Sequence, residues 1–103
     1  MASLNTASLS QSAAVTTEAT IVTADANFRN DLTCLVVNQS AAGTVTIRNT
    51  TTGASILGLI FPAAGIQVVP FPIPAQGAGV NTNWTAAASA GTATVTAFFV
   101  KGA

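Results

Sequence analysis

From Val15 onward the chain is cut into short runs rich in Val, Ile, Thr and Phe. Each run is followed by a cluster of Gly, Pro, Asn or Ser, and no stretch spaces its apolar residues like a helix face. Branched and aromatic side chains suit a pleated, half-buried surface, and the intervening residues suit turns, so the pattern predicts strands alone. The runs fall near 15–23, 31–38, 44–50, 55–61, 66–71, 80–88 and 92–100. Turn residues cluster at 24–30, 41–43, 51–53, 62–65, 72–79 and 89–91. About seven to eight short strands at this spacing predict an all-β fold, an antiparallel β-sandwich or jelly roll.

A length of 103 residues leaves room for one hydrophobic core. Residues 14–103 are therefore expected to form a single domain. The preceding MASLNTASLSQSA shows no sustained period and reads as a flexible N-terminal arm over 1–13. Leu4 and Leu9 could anchor that arm on a neighbouring subunit, a disordered tail being the alternative.

Alternation sets the facing of each strand, because successive side chains point to opposite sides of a sheet. In Thr44-Val45-Thr46-Ile47-Arg48 the inward set is Val45 and Ile47. Along 32–37 and at Phe98-Phe99-Val100 both sets are mostly apolar, which predicts strands covered on two sides. A two-layer sandwich supplies one cover, and the second must come from the arm, a loop or another subunit. The run Val69-Pro70-Phe71-Pro72-Ile73-Pro74 is expected to end a strand and cross an edge, since proline removes ladder donors. Phe71, Ile73 and Phe98 join Leu4 and Leu9 as candidate contacts to another subunit or to a larger shell that the subunits cover.

Charge is the composition's outlier: Glu18, Asp25, Asp31, Arg29, Arg48 and Lys101 are the whole inventory, 6% of residues with zero net charge. An ordinary soluble domain carries about 25%. Either Thr, Ser, Asn and Gln supply the polar skin, or partner subunits cover much of the surface, where a buried charge would be costly. Three scattered basic residues cannot neutralise a phosphate backbone or hold an anionic membrane, so neither nucleic acid nor membrane is an expected partner. Residues 1–14 lack the basic start and apolar core of a secretory signal, and 56–61 is too short to span a bilayer, so synthesis in a cytoplasm is expected.

The chain offers no chemistry. It has no His and no Tyr, and Lys101 is its only lysine, so a general base for a Ser or Thr nucleophile is missing. Asp25 and Asp31 flank a turn holding Arg29, where local capping and ion pairing account for them. One cysteine and three carboxylates assemble no zinc or calcium site, and no cofactor is expected. Cys34, inside Leu32-Thr33-Cys34-Leu35-Val36-Val37, is expected to be a buried, inert thiol. Gly77-Ala78-Gly79 lacks the helix start that would bind a phosphate. Trp84 could stack on a sugar if exposed, but Val80, Thr82, Ala86 and Ala88 on its face predict a core or interface position. The Thr-x-Thr steps at 44/46 and 92/94/96 lack the fixed period of an ice-binding array.

Ser40-Ala41-Ala42-Gly43 before Thr44-Val45-Thr46-Ile47, then Phe61-Pro62-Ala63-Ala64-Gly65, then Val69-Pro70-Phe71 with its proline- and glycine-rich sequel, resembles small virion proteins of tailed bacteriophages. The likeness covers residues 20–100. It implies a sandwich or jelly-roll module used as a head decoration (cement) protein, or as part of a fibre or baseplate, commonly as a homotrimer. The implied location is the outer capsid surface of the virion and the implied partner the major capsid protein. It brings no catalytic residues. The spacing of Pro70, Pro72 and Pro74 and the sparse charge depart from that family's pattern.

Overall fold

The computed structural model describes residues 9–50, 53 and 55–102, and among them every regular element is a strand. The strands are β1 Leu9–Val15, β2 Glu18–Val22, β3 Arg29–Gln39, β4 Gly43–Asn49, β5 Ser55–Phe61, β6 Gly65–Ala75, β7 Trp84–Ala88 and β8 Ala93–Gly102. They form two antiparallel sheets of order β1-β8-β3-β6 and β2-β7-β4-β5.

The pairings β4 with β5, β3 with β6, β2 with β7 and β1 with β8 nest inside one another, like a single long hairpin rolled up until its two halves face. Lateral contacts of β3 with β8 and β4 with β7 complete each sheet. This is the jelly-roll topology, one of the two alternatives that the strand spacing predicts.

The inward-facing side chains meet in one core that includes Val15, Ile21, Leu32, Leu35, Val37, Val45, Ile47, Phe61, Trp84 and Val95. Each fully buried Val, Leu or Ile contributes about 1.5–3 kcal/mol through removal from water. Val45 and Ile47 point inward as the alternation requires. A register shift between Leu32 and Cys34 resets the parity of β3, so Leu32, Leu35 and Val37 all face the core while Cys34 and Val36 face outward, half-buried. The expectation of a buried Cys34 is corrected to that extent.

Four boundaries differ from the expected ones, one of them being the run expected over 80–88, whose strand begins only at Trp84. Leu9–Val15 is a strand paired with β8, so the arm expected over 1–13 gives way to sheet from Leu9. Its Ser- and Ala-rich sequence has weak strand preference of its own, and pairing with Ala93–Phe99 overrides it. The single run expected over 15–23 is two strands in different sheets, broken at Thr16-Thr17. The proline segment does not end its strand, because β6 continues to Ala75. It can do so because β6 is an edge strand, where a proline nitrogen can face away from the ladder.

Candidate functional site

Side chains of directly opposed residues share a face, so the outer surface of each sheet can be written in rows. From β1 to β6 they run Ser10, Phe98, Cys34, Pro70; then Ser12, Thr96, Val36, Val68; then Ala14, Thr94, Asn38, Ile66. Small polar groups lie at the β1 end, where Ser12 and Thr96 hydroxyls hydrogen-bond at 2.6 Å, and apolar groups at the β6 end. None of these rows holds a charge.

The other sheet's outer surface runs Thr20, Thr85, Arg48, Ser55; then Glu18, Ala87, Thr46, Gly58; then Thr44 beside Ile60. Its middle is ionic. Glu18 Oε2 lies 3.6 Å from Arg48 Nη1 and accepts a hydrogen bond from Thr85 Oγ1 at 2.8 Å.

β5 and β6 are the edges of their sheets on one side of the sandwich, joined by the turn at 62–64 and by Gln67 Nε2 donating to the Ile60 carbonyl at 2.8 Å. Among the described residues, five of the six exposed large hydrophobic residues sit on these two strands: Ile56, Ile60, Ile66, Val68 and Ile73, the last 85% exposed. The sixth, Val80, lies in the loop after β6. Ile60 points out of one sheet and Ile66 and Val68 out of the other, so the five line a common edge of the sandwich on both of its faces. Isolated apolar residues on a surface are ordinary, and a run of them along one edge is what a protein contact uses.

All six charged side chains are engaged within the chain. Arg29 Nε donates to Asp31 Oδ1 at 2.7 Å and Nη2 to Oδ2 at 3.0 Å, Lys101 Nζ lies 2.9 Å from Asp25, and Arg48 faces Glu18. The Asn27 amide, followed by the Lys101 ammonium, holds the Asp25 carboxyl below its ordinary value. Hydrogen bonding to Asp31 raises Arg29. This matches the capping and pairing expected at that turn. Asp31 Oδ1 also accepts the Gly77 amide at 3.0 Å, and Asn49 Oδ1 accepts that of Ala78, so the glycine-rich loop's amides serve to pin it down. A Cβ at Gly77 would lie 2.7 Å from the Asn30 carbonyl, which is why the loop needs glycine there.

The candidate contacts are dispersed. Leu4 lies outside the described residues. Leu9 and Phe71 are half-buried against the chain's own core, Phe98 is half-buried on the outer face, and Ile73 stands free. The residues missed are Ile56, Ile60, Ile66 and Val68. The signal for the first two was present in Ile56-Leu57-Gly58-Leu59-Ile60-Phe61, where both alternating sets are apolar except for the glycine.

Trp84 is 1% exposed and its indole N–H donates to the Asn30 carbonyl at 2.9 Å, so its ring has no face for a sugar. Val80 and Thr82 precede the strand and do not share its face. Thr44 and Thr46 lie on one sheet and Thr94 and Thr96 on the other, so they form no common flat array. Among the described residues no cluster of His, Cys, Asp or Glu could hold a metal ion, and no helix is long and apolar enough to cross a membrane. The chain matches no protein-family model and no curated protein sequence.

Proposed function

We propose that this protein is a non-enzymatic structural subunit of a virion, a head decoration protein that binds the outer capsid surface beside further copies of itself. The observation that carries the reading is the line of exposed Ile56, Ile60, Ile66, Val68 and Ile73 along the β5–β6 edge, on both faces of a domain whose few charges are already paired internally. Such a side is suited to burial against protein, where uncompensated charge would be costly and none is present. Jelly rolls recur in viral capsid and lectin domains, which agrees with the phage resemblance as analogy between folds. Buried Trp84 counts against the lectin branch, and with it against a sugar-binding fibre tip.

Binding in this role comes from many weak apolar and backbone contacts repeated by symmetry, with the major capsid protein and with other copies, three being the number the resemblance implies. The test is sedimentation of the purified chain alone and with phage capsids that lack a decoration protein. Assemblies larger than 10.2 kDa and saturable binding to capsids are expected. A stable monomer that leaves capsids bare would overturn the reading.

A further inference from the structure

The edge of β5 carries a more specific instruction than general apolarity. Thr44 directs both of its backbone groups away from β5: its N–H donates to Ser89 Oγ at 2.8 Å and its carbonyl accepts from the Ser89 N–H at 2.9 Å. Directly opposed residues of an antiparallel pair exchange either both hydrogen bonds or neither. Ile60, opposite Thr44, therefore turns its N–H and carbonyl to the open edge, where Gln67 finds the carbonyl. Two residues earlier, Gly58 does the same.

Exposed edges are ordinarily blunted by proline, charge, bulges or a covering segment. β6 carries Pro70, Pro72 and Pro74. The β1 edge is tied to the segment after β2, where the Gln11 side chain bonds both Thr23 Oγ1 and the Thr23 N–H. β5 has neither proline nor charge, and its register shift, with Ile56 as the extra residue, leaves Leu57–Phe61 regular.

We propose that β5 pairs antiparallel with β5 of a second copy about a twofold axis at Leu59, so that the N–H and carbonyl of Gly58 bond those of Ile60 in the other copy. The occupant is a second copy because the segment complements itself. Each Ile60 side chain falls opposite a Gly58, where a Cβ would meet nothing within 4 Å in its own chain and the surface is open. The uncharged segment meets its own image without repulsion. The Ile60 carbonyl keeps a second lone pair beside the one taken by Gln67. This rests on the reading that copies assemble, and it adds a twofold contact to any threefold one, giving twos or sixes.

The test is native mass spectrometry and sedimentation of the full chain over a concentration series. Gly58→Pro deletes an edge-facing N–H and leaves the ladder to β4 intact. It is expected to weaken the even-numbered species by about thirtyfold, for two hydrogen bonds lost per pair. Ile60→Lys, at a side chain 74% exposed, is expected to weaken them by at least about tenfold and decides the matter if Gly58→Pro does not fold. Ile66→Lys on β6 is the control, with a change under about threefold expected. Even-numbered species indifferent to both β5 variants, or trimers with no even-numbered species, would overturn the pairing and leave the assembly reading standing. A monomer at every concentration would overturn the pairing, and if it also left capsids bare it would overturn the assembly reading with it.

Discussion

The two sides of this sandwich are finished differently. On the β1–β2 side the outward residues are Ser10, Ser12, Ala14, Thr20 and Glu18, the last paired with Arg48, and Gln11 bridges to Thr23 through two hydrogen bonds of 3.0 and 2.9 Å. On the β5–β6 side one bond from Gln67 joins the sheets, and isoleucine and valine face outward. A closed side meets water with small polar groups and one internally paired carboxylate. The presence of large branched side chains on the other side, with proline guarding β6 and little guarding β5, is what a surface awaiting protein requires.

The contrast is sharpest between two isoleucines. Ile21→Ala, at a side chain with no exposure, is expected to lower unfolding free energy by about 2–5 kcal/mol. Ile60→Ala on the dissociated chain is expected to cost under about 0.5 kcal/mol. Urea titration of both variants at low concentration checks this, and equal losses would mean that the β5 side is part of the core.

Trp84→Phe follows in size. It removes the indole donor and leaves the Asn30 carbonyl unsatisfied in the interior, at an expected cost of about 1–3 kcal/mol by the same titration. Gln11→Ala should cost about 1 kcal/mol, for hydrogen bonds at an exposed position, and should leave association unchanged.

The smallest effect is that of pH. With no His, and with Asp25 held below its ordinary 3.8, the stability contributed by Asp25 is fully present above that value and is lost as pH falls through the lower folded one. Stability and association should therefore be level between about pH 5 and 8 and decline only in strong acid. A transition near neutrality in an unfolding series would contradict it.

Most of the architecture was legible because strands written in Val, Ile and Thr announce themselves, and the inward set of β4 followed from alternation alone. β1 was not, since Leu-Ser-Gln-Ser-Ala-Ala-Val becomes a strand only through pairing with β8, from Leu9 opposite Phe99 to Val15 opposite Ala93. β6 ran through its prolines because it is an edge, a fact of topology that no local pattern contains. The exposed side was half legible: 56–61 is visibly apolar on both faces, but which face lacks a cover depends on sheet order. Buried Trp84 followed the expected core reading, although the strand that places it begins later than its neighbours suggested.

Amide hydrogen exchange at β5 tests the central claim most directly. Leu57 and Leu59 should be protected at every concentration by their ladder to β4. If copies cover this side by edge pairing, the Gly58 and Ile60 amides become protected as concentration rises and lose protection on dilution. Fast exchange at both amides in concentrated protein would contradict it.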